Sequence, residues 1–199
     1  MGIQPDLQKR SIAMKKQIFK KMGLFFNSKF LNVMHRLNYK YYAKHFPLYL
    51  QKMGVKFSGD ISKTGFITGN VKFDSVAYAD RITIGEQTTI STGVFILVHD
   101  YSIGTAIRSI RPTTPGDMPR FLSEVKIGNN CFIGARTIIL PGTTIGDNTI
   151  VGAGSVVKGN IPAGVIVAGN PARVIKTTEE YARLHLEKGD FEGVLPEIE

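Results

Sequence analysis

The clearest pattern along the chain is an apolar residue at every sixth position between Ile127 and Val157. Written in sixes from Ile127, the segment reads IGNNCF, IGARTI, ILPGTT, IGDNTI, VGAGSV and VKGNIP. The first place is aliphatic in six of six repeats, the second is Gly in four, and the fifth is small in five. Chance does not keep such a phase over 36 residues, so this segment is a structural repeat.

The same period returns, less strictly, upstream of this segment. Apolar residues at a spacing of five or six begin these earlier repeats: Ile61, Ile67, Phe73, Ala79, Ile84, Ile90 and Ile96. A period of six does not fit an α-helix, which turns every 3.6 residues. It fits short strands separated by tight corners, where Gly and Asn supply the cramped conformations. Because one repeat cannot bury its own apolar residue, the pattern predicts stacked coils with a continuous core.

The repeat is interrupted by 25 residues, Ser102–Lys126, and His99 stands directly before this interruption. Long irregular segments inside compact domains are uncommon and tend to be functional. His99 is also the only one of the four histidines inside the repeat region. Imidazole titrates near neutral pH and suits the removal of a proton from a hydroxyl nucleophile. The alternative is a solvated histidine at a corner.

The repeats, followed by IPAGVIVAGNPARVIK at residues 161–176, resemble the hexapeptide-repeat acyltransferases. More narrowly, they are similar to the galactoside and maltose O-acetyltransferases and the streptogramin acetyltransferases. The resemblance covers roughly residues 55–176 and implies a mainly β fold, a left-handed parallel β-helix of about five coils with three strands each. It also implies a homotrimer with active sites between subunits. The predicted division is a basic helical region at 1–54, the β-helix at 55–176 with a protruding loop at 102–126, and a C-terminal helix and tail at 177–199.

The resemblance further implies acetyl-CoA as donor, with no metal and with His99 as the catalytic base. The matching position for a backbone N–H that stabilises the developing oxyanion is Ala135, and Ala153 matches a second contact with the donor. The basic residues that match contacts to the phosphates of coenzyme A are Lys158, Arg173 and Lys176. Small residues required by tight corners, and cations on a solvated face, are the alternatives for these five positions.

The acceptor site is predicted at Asn70, Asp100 and Tyr101, with loop-entry polar residues as the alternative for the last two. Side chains alternate along an extended strand, so Asp100 points away from the face of His99. We therefore expect a backbone carbonyl to orient the imidazole. Phe132 is either a wall beside the histidine or a core residue. A metal hydratase needs three histidine ligands, which the repeats do not contain.

The two ends of the chain differ in charge and pattern. Residues 1–60 carry 12 Lys and Arg against two Asp, whereas the remainder is near neutral, although the whole chain is +9. Leu31, Met34, Leu37 and Tyr41 form an apolar stripe, which predicts helices over residues 5–53. Asn27 or Ser28 is the expected cap and Pro47 the expected end. These helices either pack on the mouth of the β-helix or make peripheral contact with an anionic membrane.

A second helix is predicted at the C-terminus, over residues 178–188. Thr177 and Glu180 have the spacing of a capping box, and Gly189 follows the last helical residue. The single cysteine, Cys131, occupies the small inward fifth place, which favours a core residue over a nucleophile. One cysteine also excludes a disulfide framework and fits a reducing compartment.

These patterns exclude several classes of function. The longest stretch without a charge is 14 residues, too short for a spanning helix of roughly 20. The positive charge is confined to one end and nucleic-acid motifs are absent, so we expect no nucleic-acid partner. The prediction is a cytoplasmic acetyl-CoA-dependent O-acetyltransferase that acts on a saccharide in surface polysaccharide or lipopolysaccharide synthesis, with the inner face of the membrane as an alternative location. An antibiotic O-acetyltransferase and a catalytically inactive trimeric scaffold are the competing interpretations.

Overall fold

The computed structural model describes residues 23, 29–68, 70–74, 76–112, 116 and 119–193. Short strands of this part build a prism with three faces. Face I contains β1 (Lys56–Ser58), β3 (Ile82–Gly85), β8 (Val125–Ile127), β11 (Thr144–Ile145) and β14 (Asn160–Ile161). Face II contains β4 (Thr89–Ile90), β9 (Phe132–Ile133), β12 (Ile150–Val151), β15 (Val165–Gly169) and β16 (Ala172–Thr177). Face III contains β2 (Lys72–Phe73), β5 (Phe95–Ile96), β10 (Ile138–Ile139) and β13 (Val156–Val157).

Successive strands of the repeat lie on successive faces, and the chain returns to the same face after three strands. Ile127 is in register with Ile145, and Ile133 with Val151, so one coil takes 18 residues. All neighbouring strands pair in parallel apart from β15 with β16 and the hairpin at the loop. The structure thus confirms the predicted parallel β-helix, with nearly five coils.

The core is made of the first and fifth places of the repeat, as predicted. The first-place residues are buried columns of aliphatic side chains, for example Ile133 and Val151 on face II. The fifth-place residues are equally buried, and their hydroxyls are satisfied by backbone carbonyls. Thr143 Oγ1 donates to the oxygen of Leu140 at 2.6 Å, and Ser155 Oγ donates to that of Gly152 at 2.6 Å. These buried hydroxyl groups therefore have hydrogen-bond partners, which offset the cost of removing them from water.

The corners explain the excess of Gly and Asn in the repeat. Asn130 and Asn148 adopt left-handed backbone conformations, with φ of 50° and 55°, and Asn130 Nδ2 donates to Asn148 Oδ1 at 2.8 Å. At Gly85, a Cβ atom would lie 2.3 Å from the oxygen of Gly128 in the next coil, so the close stacking leaves no room for a side chain.

Two helices close the N-terminal mouth of the prism. Residues 29–37 form α1, and α2 (Tyr39–Met53) follows after Asn38, whose side chain accepts from the N–H of Tyr41 at 3.0 Å. Phe46 and Leu50 of α2 are buried, and the Tyr42 hydroxyl donates to the oxygen of Ile67 at 2.7 Å. Burial also raises the pKa of the Tyr42 phenol. The described part of the helical region therefore packs on the first coil.

The predicted end of this helix at Pro47 is wrong, because α2 continues through Pro47 to Met53 and ends at Gly54 with φ of 117°. Burial of the side chains on either side of the proline holds the helix together there. The predicted apolar stripe is also divided at Asn38. Leu31 packs in the core, whereas Leu37 is 75% exposed. The predicted caps, Asn27 and Ser28, and residues 1–22 lie outside the described residues.

The C-terminal helix, α4 (Thr178–Lys188), has the predicted bounds. The hydroxyl of Thr177 accepts from Glu180 N at 3.1 Å, and Glu180 Oε2 accepts from Thr177 N at 2.8 Å. These bonds lower the pKa of Glu180. The chain ends this helix at Gly189 in a left-handed conformation, so the predicted capping box and stop are both confirmed.

The interruption of the repeat begins and ends in a small hairpin. β6 (His99–Asp100) pairs antiparallel with β7 (Phe121–Leu122), and α3 (Ser102–Ile110) extends between them. Two short 3-10 helices, Ile61–Lys63 and Val76–Arg81, lie among the first coils. None of the described helices is long and apolar enough to cross a membrane.

Candidate active site

The central feature of the candidate site is a histidine held by a carboxylate. Asp74 follows β2, one coil before His99, and its Oδ2 contacts His99 Nδ1. The same oxygen accepts from the backbone N–H groups of Val98 at 2.9 Å and His99 at 3.0 Å. The Asp74 side chain is 6% exposed and that of His99 is 21% exposed. Three donors thus converge on one almost buried carboxylate oxygen.

This arrangement selects one tautomer of the neutral imidazole. A carboxylate oxygen accepts only, so in that form Nδ1 carries the proton and Nε2 carries the lone pair. Among the described residues, nothing is within hydrogen-bond distance of His99 Nε2. Nε2 is therefore free to accept a proton from a bound hydroxyl.

The prediction that a backbone carbonyl orients the imidazole of His99 is wrong, because Asp74 contacts Nδ1 instead. The sequence repeat contains a signal for this contact between Asp74 and His99. Phe73 and Ile96 both begin repeats, and they are directly in register on face III. Stacking the two repeats places Asp74 beside the chain that leads to His99, because Asp74 N donates to the oxygen of Ile96 at 3.0 Å.

Two tyrosines flank the imidazole. The Tyr101 ring lies edge-on to His99, with centroids 5.0 Å apart, and the Tyr78 ring lies 5.7 Å away. Arg120, which follows the loop, stands over the Tyr78 ring at 5.6 Å. The predicted site residue Tyr101 is thus beside the histidine and is 40% exposed.

Asp100 points away from the imidazole, as the alternation of the strand requires. It accepts from the N–H of Ser102 at 2.7 Å, and this bond lowers its pKa, with a smaller contribution from the charge of Lys158. Asp100 and Lys158 line a cavity of about 450 Å³ between α3 and the coils, together with Ile103 and Phe121. The structure therefore brings two predicted site residues, Asp100 and Lys158, to one cavity.

The two predicted donor contacts stack at the corner between faces II and III. Arg136 N donates to the oxygen of Thr92 at 2.9 Å, and Gly154 N donates to that of Ala135 at 2.8 Å. Thr92, Ala135 and Ala153 therefore occupy equivalent positions in three successive coils, about 4.8 Å apart. Within the described part of the chain, the N–H groups of Ala135 and Ala153 find no acceptor. Both residues are at least partly exposed, so these N–H groups remain as unused donors.

Asn70 lies at the top of this same corner rather than beside His99. Its Nδ2 donates to Thr92 Oγ1 at 2.6 Å, and its Oδ1 accepts from Thr68 Oγ1 at 3.0 Å and Gly93 N at 3.2 Å. The amide thus fixes the hydroxyl that stands one coil above Ala135.

Arg173 lies toward the lower end of the corner, and Lys176 lies three residues further along β16, which runs away from that corner. Arg173 pairs with Ala168, and Lys176 with Ile166, in the antiparallel hairpin. Arg173 is exposed, and no carboxylate of the described residues is within ion-pair distance of its guanidinium. Lys176 is near enough to Glu180 to contribute to the lowered pKa of that carboxyl.

The predicted site residues therefore fall at two corners of one chain. His99, Asp100, Tyr101 and Lys158 lie where face III leads to face I, whereas Ala135 lies where face II leads to face III. Face III separates the two groups. A single chain holds both halves of the predicted site but does not bring them together.

Two further interpretations of single residues are decided by the structure. Phe132 is 45% exposed on face II, so the core interpretation is wrong. Cys131 is buried, and burial raises the pKa of its thiol, which agrees with a core residue. Among the described residues, no group of three His, Cys, Asp or Glu side chains is placed to hold a metal ion.

The three-faced coil and the carboxylate-held histidine at its interruption define a solenoid with a histidine–aspartate pair near its surface. Residues 124–159 match the bacterial transferase hexapeptide family, six repeats. The chain is 40% identical over 152 residues to protein CapG of Staphylococcus aureus, a match that covers 72% of this chain and 85% of CapG. The chain belongs to the hexapeptide-repeat transferases, and its coil is their left-handed β-helix.

Two other proteins are similar to this chain. The chain is 36% identical over 124 residues to the putative lipopolysaccharide biosynthesis O-acetyl transferase WbbJ of Escherichia coli strain K12, covering 60% of this chain and 63% of that protein. A maltose O-acetyltransferase structure from Clostridium difficile 630 has a TM-score of 0.49 and 27% identity over 77% of this chain and 87% of that one. The matches span between 43% and 63% of the length of three curated relatives, WbbJ among them.

Proposed function

We propose that this protein is an acetyl-CoA-dependent O-acetyltransferase that transfers an acetyl group to a hydroxyl of a saccharide. The observation that carries the proposal is the pair of His99 and Asp74, with Nε2 free beside the loop. A neutral imidazole with its second nitrogen held by a carboxylate is suited to general base catalysis. Relatives named as O-acetyltransferases support the same chemistry.

In this mechanism, His99 acts on the acceptor and Asp74 acts on His99. Nε2 accepts the proton of the attacking hydroxyl while the oxygen forms its bond to the acyl carbon. The carboxylate of Asp74 holds the ring in the required tautomer and stabilises the imidazolium that results. The proton then leaves Nε2 for the sulfur of the departing thiolate. Cys131 is too deeply buried to carry the acyl group, so transfer is direct.

The corner between faces II and III, where Ala135 and Ala153 lie, is called the donor corner below. It fits a thin, polar chain such as the pantetheine arm of coenzyme A. Ala135 and Ala153 offer unused N–H groups one coil apart and only methyl side chains, which leaves the backbone accessible. Acetyl-CoA supplies the activated acyl group when it is bound. The N–H of Ala135 would donate to the acyl oxygen, where negative charge develops. Arg173 and Lys176 would hold the phosphates, and Lys158 would approach from the other corner.

The positions of the two corners support a homotrimer with the active sites between subunits. The outward positions of face I are polar, namely Lys126, Thr144 and Asn160. The outward positions of face III in the coils that follow Lys72 are apolar and partly exposed: Phe95, Ile138 and Val156. A ring in which face III is covered sets the corner of His99 in one copy against the corner of Ala135 in the next. Each copy then presents its His99 corner to one neighbour and its Ala135 corner to the other, which closes the ring.

The biological setting is part of the proposal. The name of WbbJ supports a role in lipopolysaccharide or surface polysaccharide synthesis. We also infer the division into residues 1–54, 55–176 and 177–199, with the loop at 102–126. A cytoplasmic protein is proposed, with peripheral membrane contact through residues 1–54 as its alternative location. The exposed lysines of α2, among them Lys40 and Lys44, support attraction to anionic lipids.

The test is release of thiol from acetyl-CoA in the presence of a panel of saccharides, a streptogramin and chloramphenicol. We expect transfer to a saccharide, and His99→Ala should lower kcat by about 10²- to 10⁴-fold, the usual contribution of a general base. His185→Ala is the matched control, because His185 also pairs with a carboxylate, Asp190, at 2.6 Å but lies on α4. Full activity of His99→Ala, transfer to the antibiotics alone, or acylated enzyme without acceptor would each contradict the proposal.

A further inference from the structure

A large cavity opens at the donor corner, between α1 and the first coils. It has a volume of about 910 Å³. Asn70 and Thr92 line its lower wall, and Arg36 of α1 lines the opposite side. The floor is therefore one coil above Ala135, where the acyl group is proposed to lie. A molecule in this cavity would reach the reacting carbon from above.

The wall beside the coils is built to bind hydroxyl groups. Asn70 fixes Thr92 Oγ1 at 2.6 Å and accepts from Thr68 Oγ1 at 3.0 Å. Phe66 lies next to these polar groups, with its ring 5.3 Å from that of Tyr39 and stacked at 16° on His35. An aromatic face beside a fixed set of amide and hydroxyl groups matches the mixed apolar and polar surface of a sugar ring.

The opposite wall adds a positive charge. Arg36 is exposed toward the cavity, and no carboxylate of the described residues is within ion-pair distance of its guanidinium. The described residues that line the cavity include no Asp or Glu. Guanidinium groups bind carboxylates and phosphates in a bidentate manner. Since this cation faces the wall of Asn70 and Thr92 and has no carboxylate partner among the described residues, its complement is a negative charge on the ligand.

We propose that the acceptor is an acidic saccharide, with a carboxylate or phosphate that binds to Arg36 while the sugar ring lies against Phe66 and Asn70. This inference rests on the proposed function, since it assigns a substrate class to the same site. A neutral sugar would fill the polar wall but leave Arg36 without a partner. The structure thus assigns Arg36 as a specificity-determining residue.

The experiment compares kcat/KM for three acceptors, galactose, galacturonate and galactose 1-phosphate, in the same acetyl-CoA assay. Wild type should prefer at least one acidic acceptor over galactose by about tenfold, the effect of one charge-assisted hydrogen bond. Arg36→Gln should lower kcat/KM for the acidic acceptors about tenfold and so remove this preference, and Arg36→Lys should restore part of it. Lys44→Gln, an exposed cation on α2 outside the cavity, is the control and should change none of these values.

The outcomes separate this inference from the proposed function. A preference for galacturonate alone identifies a carboxylate as the anion, and a preference for the phosphate ester identifies a phosphate. Equal use of neutral and acidic sugars, or a preference that Arg36→Gln does not change, would overturn the inference while leaving the acetyltransferase intact. Absence of transfer to every sugar, with correctly folded protein, would instead overturn the proposed function.

Discussion

The exchange of Asp74 for Asn tests how the carboxylate supports His99. In the wild type, one Asp74 oxygen accepts from Val98 N, His99 N and His99 Nδ1. An asparagine must place its oxygen at the same point, because its NH₂ group would face two backbone donors. The imidazole therefore keeps its tautomer and position. The substitution removes the negative charge and little else.

The size of the effect follows from that charge. Hydrogen bonds to charged groups contribute about 1.5–3 kcal/mol and neutral ones about 0.5–1.5 kcal/mol. The difference of about 1–2 kcal/mol applies to the imidazolium formed during transfer and corresponds to a fall in kcat of about 5- to 30-fold. KM for acetyl-CoA should not change, because the donor is proposed to bind at the other corner.

The measurement is steady-state thiol release with a saturating acceptor, together with the melting temperature. Asp147→Asn is the matched control, because Asp147 Oδ1 accepts from Asn129 N at 2.7 Å at a corner without a histidine. Both variants should lose similar, small amounts of stability, and only Asp74→Asn should lose activity. Unchanged kcat in Asp74→Asn would show that the carboxylate serves only to hold the backbone N–H groups of Val98 and His99.

Two further predictions concern stability and assembly. Tyr42→Phe should lower the free energy of unfolding by about 1 kcal/mol, since it removes the bond to the oxygen of Ile67. Because burial raises the pKa of Tyr42, its folded form keeps the proton where the unfolded form loses it, so wild-type stability should fall above about pH 10. Melting curves at pH 8 and 10.5 should show a smaller fall in Tyr42→Phe, and an equal fall would contradict this. Ile138→Lys, in the middle of face III, should convert the proposed trimer to monomers in light scattering and abolish the proposed transfer, whereas Thr144→Lys on face I should do neither.

The features that depend on neighbours in sequence were predictable. The period of six requires only that each repeat fold like the next, so the columns through Ile133 and Val151 could be assigned without coordinates. The capping box is likewise a local arrangement, because Glu180 lies only three positions after Thr177.

The features that the sequence did not reveal depend on distant contacts. Asp74 meets His99 only through the register of two coils, and the two segments have weak or interrupted repeats. Pro47 carries a strong local signal to end a helix, and burial of Phe46 and Leu50 outweighs it. The separation of His99 from Ala135 follows from which corner each one occupies, which a linear motif does not show.

The hairpin of β6 and β7 makes the loop independent of the coils. His99 pairs with Leu122, and Ser123 N donates to the oxygen of Val98 at 2.9 Å, so the chain leaves and re-enters the solenoid at one closed neck. The segment beyond this neck can change in length and sequence without altering the stacking of any coil. Because His99 lies at the neck and Asp74 in the preceding coil, the loop beyond the neck can be remodelled while the pair of His99 and Asp74 stays in place.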